Sequence, residues 1–229
     1  MSAEKEGRLR VTTTSETSLD GLPDARRTQI LSAAIDVIME RGFPETRIAD
    51  VSERAGVSPA LVIYYFKTKD RLLAEAMRQA EEGWYAEMAR QTGQIPSAAG
   101  RLEEVVSMSC LPAVPGSVEE PWALWLDLWA QALRNEEVRR VREESDERFR
   151  ETIRQIVRDG MQAGEFQEVS VDDFAVGFTA LLDGLAIQIV LEDPVVDAQR
   201  AFELAIAVAA QQLGFVPSGR RVRKRAGRR

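Results

Sequence analysis

Residues 46–73 read TRIADVSERAGVSPALVIYYFKTKDRLL, and this stretch decides the fold of the N-terminal part of the chain. Apolar residues recur at spacings of three and four over residues 48–55, which predicts one buried face of a short helix. Gly56 ends that helix, because glycine adopts the left-handed backbone conformation at little cost. Ser58 is a favourable N-cap, and Pro59 fits the first position of a second helix. The stretch predicts a helix-turn-helix, although an ordinary helical hairpin has the same pattern.

The same residues closely resemble the DNA-binding domain of TetR-family transcriptional regulators. In that family a Gly-Val-Ser turn leads into a short recognition helix, and an aromatic cluster with Lys-x-Lys opens the fourth helix. Here the aromatic cluster is residues 64–66, and the lysines are Lys67 and Lys69. The segment DARRTQILSAAIDVIMERGFPET resembles the family's first helix and the loop after it. The resemblance runs from Asp24 to Met77 and implies a regulator that binds double-stranded DNA.

Composition and helix signals predict an all-α protein. The chain has 229 residues, of which 45% are hydrophobic and 29% charged, as in globular proteins. Capping and helix-breaking residues divide it into helices, and no segment alternates as a strand does. We expect a disordered N-terminal arm (1–23), a three-helix DNA-binding domain (24–70), a helical ligand-binding and dimerisation domain (71–215) and a basic disordered tail (216–229).

Several classes of protein are not expected from this composition. The single cysteine, Cys110, excludes a disulfide within one chain. No signal peptide opens the sequence and no apolar run approaches the length of a membrane span, so we expect a cytoplasmic protein with no membrane partner. The chain has no histidine, no Gly-rich phosphate loop and no metal-ligand cluster. An enzyme, a cofactor and a metal site are therefore not expected.

The resemblance assigns DNA contacts to the recognition helix and its neighbours. Residues in the first turn of such a helix usually reach base edges, and short side chains there would contact thymine methyl groups. Tyr64 and Lys69 would contact phosphates. Ile63 and Ala49 stand where many family members have tyrosine and arginine, so an operator sequence does not carry over. The candidate DNA-binding residues are Thr46, Arg47, Ser58, Pro59, Ala60, Leu61, Tyr64 and Lys69.

Three tryptophans lie three and four residues apart within WALWLDLWAQALRNEEVRR. One interpretation is a packing stripe against neighbouring helices, and the other is an aromatic wall for a ligand. Nearby acids would suit an organic cation. The stretch is similar to the C-terminal domain of choline-responsive repressors, and related regulators sense polyamines or quaternary ammonium compounds. Lipophilic drugs and acyl-CoA ligands stay open. The candidate ligand-binding residues are Trp122, Trp125, Trp129, Asp127, Phe178 and Asp183.

The last two predicted helices carry small and apolar residues at helical spacing. Gly177 and Gly184 are seven residues apart on one face, where two backbones can approach closely. Burial within one subunit is the alternative. By resemblance, this pair packs against its two-fold copy as a four-helix bundle. The candidate dimerisation residues are Phe174, Gly177, Leu181, Gly184, Leu204, Ala205 and Val208.

The net charge of −7 does not count against DNA binding, because the excess of acids falls in residues 71–219. Residues 220–229 carry seven basic side chains and no acid, and form either a solvated extension or a non-specific arm on DNA. Together these features predict a ligand-responsive repressor that binds a palindromic operator as a homodimer and is released when a small molecule displaces the fourth helix. A helical protein-binding module is the alternative.

Overall fold

The structure, a computed structural model, describes residues 22–110 and 121–219, with side chains over 25–110 and 125–219. In these ranges it contains helices and no strand, which confirms the all-α prediction. The helices are α1 (Leu22–Arg41), α2 (Ile48–Arg54), α3 (Pro59–Phe66), α4 (Lys69–Thr92), α5 (Ala98–Cys110), α6 (Pro121–Ala132), α7 (Glu136–Gln162), α8 (Val171–Val190) and α9 (Ala198–Leu213). Of the predicted N-terminal arm, residues 1–21 lie outside the described residues, whereas residues 22 and 23 belong to α1. Of the predicted tail, residues 216–219 are described and residues 220–229 are not.

The first three helices form a small domain with the turn chemistry that the sequence predicts. Gly56 has φ +62° after α2. Ser58 Oγ accepts a hydrogen bond from the Leu61 amide at 3.2 Å, and Pro59 begins α3. The core residues of this domain are almost fully buried, and two of them come from α4. These core residues are Ile30, Leu31, Ala33, Ala34, Val37, Val51, Ala55, Val62, Phe66, Leu72 and Ala76.

Helices α4 and α7 run parallel, away from the small N-terminal domain. Three hydrogen-bonded side-chain pairs join α4 to the start and the body of α7, and the two residues of each pair are 65 or 66 positions apart in sequence. This constant separation shows that the two helices run in the same direction. The pairs are Asp70 with Asn135 at 2.6 Å, Arg78 with Glu144 at 2.8 Å and Glu82 with Arg148 at 2.6 Å. Because α4 has 24 residues, its far end lies about 36 Å from its start. The predicted domain boundary at residue 70 falls inside α4, which contributes to the cores on both sides.

The described C-terminal residues lie at the far end of the bundle. There the Gln167 amide donates to the Leu213 carbonyl at 2.8 Å, just after α7. The Ser218 amide donates to Glu103 Oε1 on α5 at 2.7 Å. Residue 219 is therefore separated from α3 by most of the length of α4.

Helix α8 corrects one expectation from the sequence. Its 20 residues are apolar and long enough to cross a membrane by length and composition alone. The expectation that no apolar run reaches this length was therefore wrong. The physical reason is that α8 is apolar on two sides. One side packs into the core through Phe174, Phe178 and Leu182, and the other exposes small and apolar residues.

Candidate functional site

Helix α3 presents one solvent-exposed face of short and apolar side chains. Ile63 is 51% exposed and Tyr64 68% exposed, which is unusual for large apolar groups. Leu61 is half-buried, so it contributes less to this face. The exposed residues are Ser58, Pro59, Ala60, Ile63 and Tyr64. Ile63, which was not among the candidate DNA-binding residues, shares this exposed face, one turn after Pro59 and Ala60.

Lys67 joins this face through a strained turn between α3 and α4. It has φ +64° and ψ −50°, and the Thr68 amide donates to the Phe66 carbonyl at 2.7 Å. This is the rarer form of γ-turn, which an L residue adopts at a cost. The Lys67 ammonium lies 5.2 Å from the centre of the Tyr64 ring, so the cation and the phenol are presented together.

The two residues predicted to contact DNA at the start of α2 differ in their exposure to solvent. Arg47 is exposed, and its backbone amide donates to Asp50 Oδ2 at 3.1 Å. Thr46 is only 3% exposed, and its hydroxyl donates to the Gly42 carbonyl at 2.8 Å. The prediction for Thr46 is therefore corrected, because its side chain closes the loop after α1 and does not reach the surface.

Lys69 is partly buried beside the same loop. Its ammonium donates to the Pro44 carbonyl at 3.1 Å and lies 4.5 Å from the centre of the Phe43 ring. This burial lowers the pKa of Lys69. Since an ammonium has three N–H donors, two remain for a phosphate.

A cavity of about 140 Å³ lies between α4, α5, α6, α7 and α8. The Trp84 ring meets Tyr85 and Phe149 edge-on, with centroid distances of 5.0 and 5.8 Å. Because the faces of aromatic rings carry negative potential, rings in such a lining can attract a cation. The aromatic lining residues are Trp84, Tyr85, Trp125, Trp129 and Phe149.

Three carboxylates also line the cavity, and two of them have partners. Asp146 pairs with Arg142 at 2.7 Å and with Arg150 at 3.6 Å. Glu81 accepts a hydrogen bond from Ser145 Oγ at 2.7 Å. Burial raises the pKa of both groups, and the partners oppose that shift. The third carboxylate is Asp183.

Asp183 differs because it forms no hydrogen bond and no ion pair within the described part of the chain. Burial, with the nearby Asp146 charge, raises its pKa to about 6. One helical turn earlier, Thr179 is 6% exposed and its hydroxyl has no hydrogen-bond partner among the described residues. The cavity thus contains a carboxylate without a direct partner, which Arg142 and Arg150 stabilise only from a distance, beside an unsatisfied hydroxyl.

The cavity includes some of the residues predicted to bind a ligand and excludes others. Trp125, Trp129 and Asp183 line it, whereas the Trp122 side chain lies outside the described residues. Phe178 is 3% exposed within the helical core and does not line the cavity. Asp127 accepts a hydrogen bond from the Phe43 amide at 2.7 Å, on the side of α6 that meets the DNA-binding domain. The ligand-binding predictions for Phe178 and Asp127 are therefore corrected.

Sequence reasoning missed the half of the cavity that α4 and α7 supply. The missed residues that matter most are Glu81, Trp84, Tyr85, Asp146 and Phe149. The sequence did contain one signal for this half of the cavity, since Trp84 and Tyr85 are adjacent on α4 and follow Glu81 by one helical turn. Nothing in one sequence shows that α4 and α7 lie side by side.

The outward face of α8 and α9 is made of small and apolar residues. Gly177 and Gly184 are exposed, and a Cβ at either position would meet nothing within 4 Å. Leu181, Leu204 and Val208 are partly buried beside them. Phe174 and Ala205 are 4% and 0% exposed inside the protomer, so they do not belong to this face and their predicted dimer role is corrected.

Two family comparisons together span most of the described chain. Residues 30–76 match bacterial regulatory proteins of the tetR family, and residues 98–214 match the C-terminal domain of BetI-type transcriptional repressors. The HTH-type transcriptional regulator BetI of Burkholderia cenocepacia is 28% identical over 187 residues, which is 81% of this chain and 92% of that protein.

Solved structures agree with these matches. A transcriptional regulator from Saccharomonospora viridis, in complex with choline, has a TM-score of 0.75 and 27% identity, covering 83% of this chain and 98% of that one. A TetR-family regulator from Rhodococcus sp. has a TM-score of 0.73 and 26% identity over 83% and 99% of the two chains. The chain therefore belongs to the TetR family of bacterial regulatory proteins and has a C-terminal domain of the BetI repressor type.

Proposed function

We propose that this ligand-responsive TetR-family repressor acts in the cytoplasm as a homodimer on a palindromic operator, and that a small organic cation releases it. Its family consists of transcriptional regulators, so it is not an enzyme. We assign DNA binding to residues 24–70, and ligand binding with dimerisation to residues 71–215. The unpaired Asp183 carboxylate within an aromatic cavity is the observation that carries the choice of ligand.

A quaternary ammonium group fits the chemistry of this cavity. Such a group cannot donate an N–H hydrogen bond, so it needs a counter-charge and aromatic faces. Asp183 supplies the charge, and Thr179 supplies a hydroxyl partner for a short polar arm on the ligand. The volume of about 140 Å³ favours a compact ligand over an extended acyl chain. The choline complex of the Saccharomonospora viridis regulator supports the same chemistry.

Release from DNA follows from linkage between the two sites. Helix α4 contributes Leu72 and Ala76 to the core of the DNA-binding domain, and Glu81, Trp84 and Tyr85 to the cavity. A ligand that prefers one position of α4 shifts the separation of two recognition helices in the dimer. Bound DNA must then lower the affinity for the ligand by the same factor by which the ligand lowers the affinity for DNA.

The outward face of α8 and α9 is the proposed dimer interface. Gly184→Glu tests it sharply, because a side chain at this position fits the single protomer. A buried charge at a symmetric interface is present twice, so we expect a monomer at micromolar concentration by light scattering. Gly83→Glu is the matched control, since Gly83 is an exposed helical glycine on α4 with open space around it. A Gly184→Glu protein that stays dimeric would place the interface elsewhere.

The ligand is tested by calorimetry with choline and with 3,3-dimethylbutan-1-ol, which has the same shape without the charge. We expect choline to bind at least about tenfold more tightly than the neutral alcohol, because only the cation gains from Asp183 and the rings. Spermidine serves as a larger, polyvalent cation and should bind more weakly than choline. Equal affinity for choline and its neutral counterpart would remove the organic cation from the proposal.

A further inference from the structure

One contact joins the wall of the cavity to the DNA-binding domain without passing through α4. The Asp127 carboxylate on α6 accepts the backbone amide of Phe43, 84 residues earlier in the chain, at 2.7 Å. Hydrogen bonds from a backbone amide to a carboxylate are among the stronger ones in proteins. Gly42 fits closely against the same carboxylate, since a Cβ there would lie 3.3 Å from Asp127 Oδ2.

The two sides of α6 face two different sites. Trp125 and Trp129 lie one turn apart on the side that lines the cavity. Asp127 is two residues from each, about 200° around the helix, and therefore lies on the opposite side. Leu128 and Ala132 are buried in a cluster that also contains Phe43. Helix α6 is thus packed and hydrogen-bonded to the loop after α1.

That loop positions groups of the candidate DNA surface. The Phe43 ring lies against the Lys69 ammonium, which also bonds to the Pro44 carbonyl. Three residues after Phe43, the buried Thr46 closes the loop, and Arg47 begins α2. A displacement of the Phe43 backbone would therefore move the Lys69 contact and the Arg47 side chain together.

We infer that Asp127 is a positioning residue that transmits occupancy of the cavity to the DNA-binding domain, by tying α6 to the backbone of Phe43. A ligand between Trp125 and Trp129 shifts α6, and the carboxylate shifts the loop that holds Lys69 and leads into Arg47. This route acts in parallel with α4. The ligand part of the inference rests on the proposed effector, whereas the contact between Asp127 and the loop does not.

The test compares the full-length wild type with Asp127→Ala, which removes the acceptor, and with Asp127→Asn, which keeps one. The coupling ratio is the operator Kd at saturating choline divided by the Kd without choline, measured by fluorescence anisotropy. We expect Asp127→Ala to bind choline within about threefold of the wild type and to lose at least about fivefold of the coupling ratio. Asp127→Asn should keep most of that ratio. An unchanged ratio in folded Asp127→Ala overturns the inference.

A second measurement uses only the wild type, so it tests the inference even if Asp127→Ala does not fold. Amide hydrogen exchange of wild-type residues 42–45 is compared with and without choline. We expect the exchange rate of the Phe43 amide to change by at least about fivefold, because its acceptor moves with α6. An equal rate in both states, in a wild type whose operator binding choline does weaken, overturns the inference.

The inference and the proposed effector fail in different ways. Choline that leaves operator binding of the wild type unchanged refutes the effector alone. The coupling is then measured from the DNA side, where operator binding should shift the tryptophan emission of the wild type and of Asp127→Asn by more than that of Asp127→Ala, in which only α4 connects the two sites. An equal shift in wild type and Asp127→Ala, or no shift in the wild type, overturns the role of Asp127.

Discussion

Replacing Asp183 by asparagine should remove most of the affinity for a choline-like cation while preserving the shape of the cavity. Glu81 accepts a hydrogen bond from Ser145 and Asp146 pairs with Arg142, so Asp183 is the carboxylate without a hydrogen bond or ion pair among the described lining residues. A unit charge at about 5 Å from a carboxylate gains roughly 3 kcal/mol at an effective dielectric constant of 20. We therefore expect the Kd for choline to rise by about 100-fold in Asp183→Asn.

Calorimetry with choline and with 3,3-dimethylbutan-1-ol measures this effect. The neutral alcohol should bind Asp183→Asn as it binds the wild type, because the substitution keeps the volume and removes only charge. Asp173→Asn is the matched control, since Asp173 lies on the same helix but is exposed and does not line the cavity. A Kd for choline that changes by less than about threefold in Asp183→Asn would refute the assignment of Asp183 as the counter-charge.

The raised pKa of Asp183 gives the same assignment a second, independent readout. The cation requires the ionised carboxylate, and with a pKa of about 6 the ionised fraction falls from about nine-tenths at pH 7 to about one-tenth at pH 5. Affinity for choline should therefore fall by about tenfold between pH 7 and pH 5, and binding should release a proton near pH 6. Asp183→Asn should lose this dependence. Identical pH profiles for the variant and the wild type would assign the titration to another group.

Three further predictions concern other parts of the molecule. Tyr64→Ala and Arg47→Ala should each weaken operator binding, measured by anisotropy at several salt concentrations. Arg47→Ala should also reduce the slope of log affinity against log salt by about 2, because a dimer loses two such side chains. Gly160→Ala should destabilise the fold by about 2 kcal/mol, seen as a lower Tm, because its Cβ would lie 2.1 Å from the buried Phe166 ring. Deleting residues 220–229 should leave the salt slope unchanged, since ten residues span at most about 35 Å and begin at the far end of the bundle; a flatter slope would contradict that geometry.

Local signals predicted the helices well. Turn and cap residues decide where a helix begins and ends, and they act within a few residues of each other. Gly56 follows the end of α2 with a positive φ, and Ser58 caps α3, as expected. Four residues predicted on α3, namely Ser58, Pro59, Ala60 and Tyr64, are exposed, and their contact with DNA stays a prediction.

The cavity was predictable only in part, because its walls come from helices that are distant in sequence. Helical spacing correctly grouped Trp125 with Trp129 on one face. The same spacing places Asp127 on the opposite side of the helix. Asp127 was nevertheless predicted to bind the ligand, because it is close to the tryptophans in sequence. The parallel register of α4 and α7, which brings Glu81 to Ser145, depends on tertiary contacts that one sequence does not show.

The most direct test of the account is an anisotropy titration of the full-length wild type on labelled duplexes, with and without choline. The account predicts binding to a palindromic duplex from the region upstream of its own coding sequence at least about 1,000-fold tighter than to a scrambled duplex, and a Kd raised at least about fivefold by saturating choline. Equal affinity for palindromic and scrambled DNA would contradict the regulator mechanism. Tight, specific binding that no cation weakens would contradict the effector.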